Sequence, residues 1–235
     1  MKEIMHILTT LVFIVSVQNA CAQRTLVAGS SQWGGKAYTP AATETYSAWI
    51  RPTSAGGNII ATTRGAVVDN HYRVLAANLT IAYAMERDGF SSSSTTNITK
   101  TTNVWFHVCA VFRGTSYRRV YVDGVPATAD TAAKNATSID EVWLGRLQTS
   151  SGDYYAATDI AEAAIWHAEL TDAEIRQLAA GGEFARRTHP SKVRPNKLVW
   201  LPDLTIPGAA VPGVGGVTGI SNSPAQLNVL PATFK

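Results

Sequence analysis

Trp105-Phe106-His107-Val108-Cys109-Ala110-Val111-Phe112 carries aromatic or aliphatic side chains on both of its alternating sets. Successive side chains of a strand point to opposite faces, so a segment apolar on both sets is expected to be a central strand covered on two sides. Just downstream, Arg119-Val120-Tyr121-Val122 runs into Asp123-Gly124. Both residues of that pair tolerate positive φ, which makes it a strong signal for a two-residue hairpin. A doubly buried strand followed by a hairpin predicts a layered β protein.

The pattern continues on both sides. Upstream, Tyr46, Ala48 and Ile50 alternate with Ser47, Trp49 and Arg51, and Gly56-Gly57 is read as a turn before a further strand at Asn58 to Thr62. Tyr72 to Ala77 and Leu79 to Met85 are expected strands, and the polar Ser91 to Thr102 a loop or weak edge that packs nothing. Downstream, Glu141 to Gly145, Asp159 to Trp166 and Lys197 to Leu201 complete the set. Trp49, Trp105, Trp143 and Trp166 are placed in strands as core, since a buried indole removes a large apolar surface from water. Glu162 is expected to pair with Arg51 or Arg119. Cys109, within the central strand, is expected to be a buried structural thiol.

One helix is signalled, at about Asp172 to Ala180. Thr171 and Glu174 stand at capping-box positions, Leu170 and Ile175 at staple positions, and Gly181 is placed to stop the helix. The fold class is therefore all-β, with one short capped helix. A chain of 235 residues with 46% hydrophobic and 16% charged residues is large enough for a single sandwich.

The ends read differently. Lys2, the eleven-residue run Ile7 to Val17 and Ala20-Cys21-Ala22 form a secretory pattern, with cleavage expected after Ala22. The alternative is an N-terminal arm that is kept and packed on a partner. The run is too short for a permanent membrane span. Residues 23–201 are assigned to the sandwich and 202–235, rich in Gly and Pro, to a tail. A net charge of +3 implies no nucleic-acid partner, and the basic stretch from Arg186 to Lys197 is broken by Pro190 and Pro195.

Tyr46-Ser47-Ala48-Trp49-Ile50, the central strand, Val120 to Gly124, Val142 to Gly145, and Asp159 to Trp166 followed by Leu170 to Ile175 occur in a characteristic order. In that order the chain resembles laminin-G-like, concanavalin A-like lectin/glucanase domains from about Thr25 to Gly181. Arg194 to Trp200 and the tail also resemble versions encoded by phage and prophage. The resemblance implies a jelly-roll sandwich of two antiparallel sheets, usually a binding module and sometimes calcium-dependent.

A glucanase of this fold needs two carboxylates on one strand face about 5 to 5.5 Å apart. Asp140 and Glu141 are adjacent, and Asp159 and Glu162 are separated by an odd step, so each pair is expected to diverge. Recognition or attachment, not catalysis, is the favoured reading, with a glycan or surface protein as partner and a secreted or surface-displayed location. A virion or surface-assembly protein, oligomeric through its terminal arms, is the alternative. Ligand-binding residues are sought on loops carrying oxygens and aromatic faces. Asp153, Tyr154 and Tyr155 fit best, with Asp69, Asn70 and Asp88 further candidates, and Asp153 is the expected ligand if calcium is the cofactor.

Overall fold

The computed structural model of the chain describes residues 23–26, 36–64, 70–98, 102–180 and 188–200. The expectations for the secretory segment 1–22, for Asp69, Gly181 and Arg186, and for the tail 202–235 lie outside the described residues. In chain order the strands are β1 (Gln23–Leu26), β2 (Lys36–Ala37), β3 (Thr43–Thr63), β4 (Asn70–Ala77), β5 (Ile81–Gly89), β6 (Ser92–Ile98) and β7 (Phe106–Arg113). There follow β8 (Arg118–Val122), β9 (Val125–Pro126), β10 (Glu141–Leu144), β11 (Arg146–Thr149), β12 (Gly152–Tyr155), β13 (Ala157–Trp166) and β14 (Leu198–Trp200). The helix α1 spans Asp172–Ala179.

Strand β3 belongs to two antiparallel sheets. Its first half pairs with β7 on one side and β13 on the other. Strands β8 and β9 extend that sheet beyond β7, and β1 and β14 share the far edge of β13. Its second half pairs with β4 and β10, which are extended by β5, β6 and β2. The expected turn at Gly56-Gly57 is thus a bend inside one 21-residue strand, not a break between two. Both glycines have positive φ, and a Cβ on Gly56 would stand 2.2 Å from the Ala77 carbonyl oxygen. Only glycine lets the strand cross between sheets so close to its neighbour.

The interior between the sheets is filled by Tyr46, Ala48 and Ile50 of β3, Leu75 and Ala77 of β4, Phe106, Val108, Ala110 and Phe112 of β7, and Ile160 and Ile165 of β13. The outer face of the first sheet carries a second apolar layer. Cys109, Val111, Tyr121 and Trp166 lie there under Leu170, Ile175 and Leu178 of the helix segment. Every β7 residue from Phe106 to Phe112 is therefore buried, because the sandwich covers one face and α1 the other. Trp105 immediately precedes this strand and does not lie within it.

The same layer holds a serine–histidine contact, Ser47 Oγ to His107 Nε2 at 2.8 Å. Both residues are about 1% exposed, and the neighbouring Trp49 donates its indole N–H to the Leu178 carbonyl of α1. A substrate cannot reach that pair, so it serves as packing.

Charge is also built into the interior. Arg73 lies between Glu44 (3.0 Å) and Glu86 (3.1 Å), while Arg118 pairs with Asp130 at 2.7 Å and approaches Glu86 at 3.7 Å. Tyr46 donates to Glu44 at 2.9 Å, and Tyr38 also donates to it. Glu44 and Glu86 thus each meet a cation and hydrogen-bond donors. Loss of one partner from such a chain typically costs about 3–5 kcal/mol by stranding a charge.

Three further expectations change in detail. Ser92–Ile98 is an edge strand, the second of its two expected forms, but its Thr95 is buried with the hydroxyl donating to the Thr128 carbonyl at 2.5 Å, so the segment does pack. Arg51 takes Asp159 as its partner at 2.6 Å through Nε, in place of Glu162. Glu162 sits at φ 50° where the register of β13 shifts between Ala161 and Ala164, so the alternation assumed for it fails locally.

Candidate functional site

The outer face of the second sheet bears the candidate site. Along β5, Ala82, Ala84 and Glu86 point into the sandwich, while Tyr83, Met85 and Arg87 point out. Along β4 the outward set is Asn70, Tyr72, Val74 and Ala76, and the register sets Tyr72 opposite Arg87, Val74 opposite Met85 and Ala76 opposite Tyr83. Residues directly opposite in an antiparallel pair share a face, so tyrosines and an arginine line up on one surface.

The hairpin β11–β12 lies across part of that surface. Leu147 is buried with Tyr72, Val74 and Trp143. At the turn, Ser150 donates its backbone N–H (3.1 Å) and hydroxyl (3.0 Å) to Asn70 Oδ1. At the base, Asn58 Nδ2 donates to the Tyr154 carbonyl at 3.2 Å. Ser151 to Tyr155, expected as a loop, is consequently mostly strand. Between hairpin and sheet remains a concavity of about 240 Å³, lined by Tyr72, Tyr83, Tyr154, Asn58, Asn70 and Arg87 among others. Tyr154 is 51% exposed and forms an open aromatic wall.

The sequence-predicted residues divide accordingly. Asn70 and Tyr154 meet in this concavity. Asp153 and Tyr155 lie on the same hairpin, but Asp153 Oδ2 accepts from Arg146 at 2.7 Å and from the Tyr155 hydroxyl at 3.1 Å. Arg146 in turn stacks 4.0 Å over the Trp143 ring. A carboxylate held by a guanidinium is poorly disposed to a cation, and among the described residues no group of three or more His, Cys, Asp or Glu converges. The residues around Asp153 therefore do not fit a calcium site. Asp88 is not part of the concavity. It stands opposite His71, on the other alternation set, where its Oδ1 accepts from the amides of Phe90 and Ser91 and its Oδ2 faces Lys134 at 3.3 Å. Those amide bonds, Ser91 foremost, lower its carboxyl to about 2.

Tyr72, Tyr83 and Arg87 were not singled out from the sequence. For Tyr83 and Arg87 the signal was the alternation in Ile81 to Arg87, where Ala82, Ala84 and Glu86 alternate with large side chains, and Tyr72 lies opposite Arg87 on the next strand; a loop-centred search passes over it. Burial raises the hydroxyl pKa of Tyr72 and of Tyr83, so both are neutral donors and acceptors. Arg87 stands opposite Tyr72 across the β4–β5 pair, and its positive charge opposes part of that rise at Tyr72. The wall thus combines aromatic faces, amides and hydroxyls with one guanidinium.

A laminin-G-type family model, described as the concanavalin A-like lectin/glucanases superfamily, matches residues 22–176. No curated protein matches the sequence. Among solved structures, a protein from Bacteroides ovatus titled a putative carbohydrate binding protein is similar at 16% identity and TM-score 0.61, covering 90% of this chain and 60% of its own. A heptameric SAP-like pentraxin from Limulus polyphemus is similar at 15% identity and TM-score 0.54, covering 68% and 82%. The CBM40 of the Ruminococcus gnavus IT-sialidase, titled as bound to alpha2,3 sialyllactose, is similar at 13% identity and TM-score 0.52, covering 68% and 99%. At these identities the likeness is one of fold.

Proposed function

We propose, from the premise that this chain belongs to the concanavalin A-like lectin/glucanases superfamily, that it is a non-catalytic recognition module holding a saccharide on the outer face of its second sheet. The observation that carries the reading is the concavity in which Tyr72, Tyr83 and Tyr154 stand beside Asn58 and Asn70. A pyranose presents apolar C–H faces and a rim of hydroxyls, which aromatic faces and amides respectively complement. The fold shared with a module titled as bound to sialyllactose supports the same ligand class.

Catalysis is not assigned to this site. Among the described residues none that lines the concavity is acidic, whereas glycoside hydrolysis ordinarily uses a pair of carboxyl groups astride the bond. The interior carboxylates Glu44, Glu86 and Asp159 are each held by an arginine. Export past the secretory pattern would deliver such a module to the cell surface or medium.

A glycan array tests the reading. The wild-type protein is expected to be retained on a subset of saccharides, and Tyr154→Ala to lose about tenfold in affinity for them with little change in melting temperature, since its ring is half exposed. Absence of retention on any saccharide, or full retention by Tyr154→Ala, contradicts it.

A further inference from the structure

Arg87 differs from four other arginines of the fold. Arg51, Arg73, Arg118 and Arg146 each face a carboxylate within the fold. Arg87 lies in the wall of the concavity, opposite Tyr72 in the strand register, and among the described residues no acidic side chain lines that wall. Its Nε is buried with no acceptor among the described residues. Tyr72 cannot neutralise it, because the phenol is kept protonated by burial and also contacts Met85 Sδ at 3.6 Å. A guanidinium partly withdrawn from water, with no carboxylate facing it among the described residues, is stabilised by any oxyanion that enters beside it.

We infer that the saccharide held in the concavity carries an oxyanion substituent, a carboxylate or a sulfate, which Arg87 pairs while the sugar ring lies against Tyr154. This rests on the concavity being the saccharide site, and it narrows the ligand to acidic glycans. Selectivity follows from the same geometry. Placing a neutral hydroxyl at that position leaves the guanidinium with a weaker partner, whereas a charged one forms a hydrogen bond roughly twice as strong.

The test uses the whole chain and saccharide pairs that differ at the charged substituent. These are trigalacturonic acid against its methyl ester, sialyllactose against its methyl ester, and 6-sulfated against unsulfated lactose, titrated by calorimetry. In at least one pair the acidic member is expected to bind about tenfold or more tightly, with the preference shrinking as salt is raised. The carboxylate and sulfate pairs separate the two sources of the charge. Arg87→Gln is expected to bring the acidic member down to the neutral one while Tyr154→Ala weakens both. Arg87→Lys, which keeps the charge but not the planar fork, is expected to retain part of the preference. Equal affinity within every pair overturns the inference even if Arg87→Gln does not fold, because that comparison needs no variant. Equal binding of acidic and neutral members, with both lost in Tyr154→Ala, overturns the inference and leaves the saccharide reading standing. Failure of all members to bind overturns both.

Discussion

Asp88 shows how a single side chain of the right chemistry can serve the fold instead of a ligand. Loop oxygens were legible in the sequence, and Asn70, Tyr154 and Asp153 do fall on or beside one surface. Which of them point into it depends on strand faces and register. Asp88 turns away and caps its own turn, with the Ser91 and Phe90 amides on one oxygen and Lys134 on the other. Its carboxyl is held near 2, below the usual 3.8. Because the folded value is depressed, the stabilisation is complete above about pH 4 and disappears as pH falls toward about 2. Asp88→Asn is accordingly expected to flatten the fall in stability between those pH values, measured by urea unfolding at several pH values across that window. An unchanged acid limb would show that Asp88 does not titrate there. Cys109 was legible for a simpler reason, since its neighbours in sequence are apolar on both alternating sets; burial raises its thiol pKa far above the ordinary value.

Among elements, α1 was the most legible because its signals are local. Thr171 Oγ1 accepts from the Glu174 amide at 3.3 Å and Glu174 Oε2 accepts from the Thr171 amide at 2.7 Å, closing the box in both directions. Leu170 and Ile175, the staple pair, are both buried against the first sheet. Thr171→Ala is expected to lower stability by about 0.5–2 kcal/mol, read from thermal or urea unfolding, and to leave saccharide affinity unchanged, since the helix covers the sheet opposite to the concavity. No loss of stability would mean the cap does not hold the helix. The hairpin β11–β12 was not legible. Arg146-Leu147-Gln148-Thr149 offers one apolar side chain, and the hairpin owes its position to Leu147 under it and to clips from Asn58 and Asn70, which are distant in sequence. Strand β6 was legible only as a weak edge or a loop, and its packing was not, because its serines and threonines give little signal until Thr95 reaches the Thr128 carbonyl.

At the scale of the molecule, the order of strands and the two-layer sandwich were legible from alternation and hairpin chemistry. The crossing of β3 between sheets was not, because Gly56-Gly57 reads as a turn until Ala77 is seen pressed against it. That crossing sets the layout. It leaves one outer face to the helix and the other to a small hairpin that covers it incompletely, and the uncovered part is the aromatic concavity. The interior arginine–carboxylate chain holds the sheets without presenting an acid to that surface. The most direct measurement of where a bound saccharide sits is mapping of amide and tyrosine-ring NMR shifts as a saccharide retained on the array is added. Perturbations are expected at Asn58, Asn70, Tyr72, Arg87 and Tyr154, with Leu178 of the helix and Trp49 and Trp166 beneath it unmoved; perturbations confined to the helix-covered face, with the concavity silent, would contradict the placement of the saccharide in the concavity.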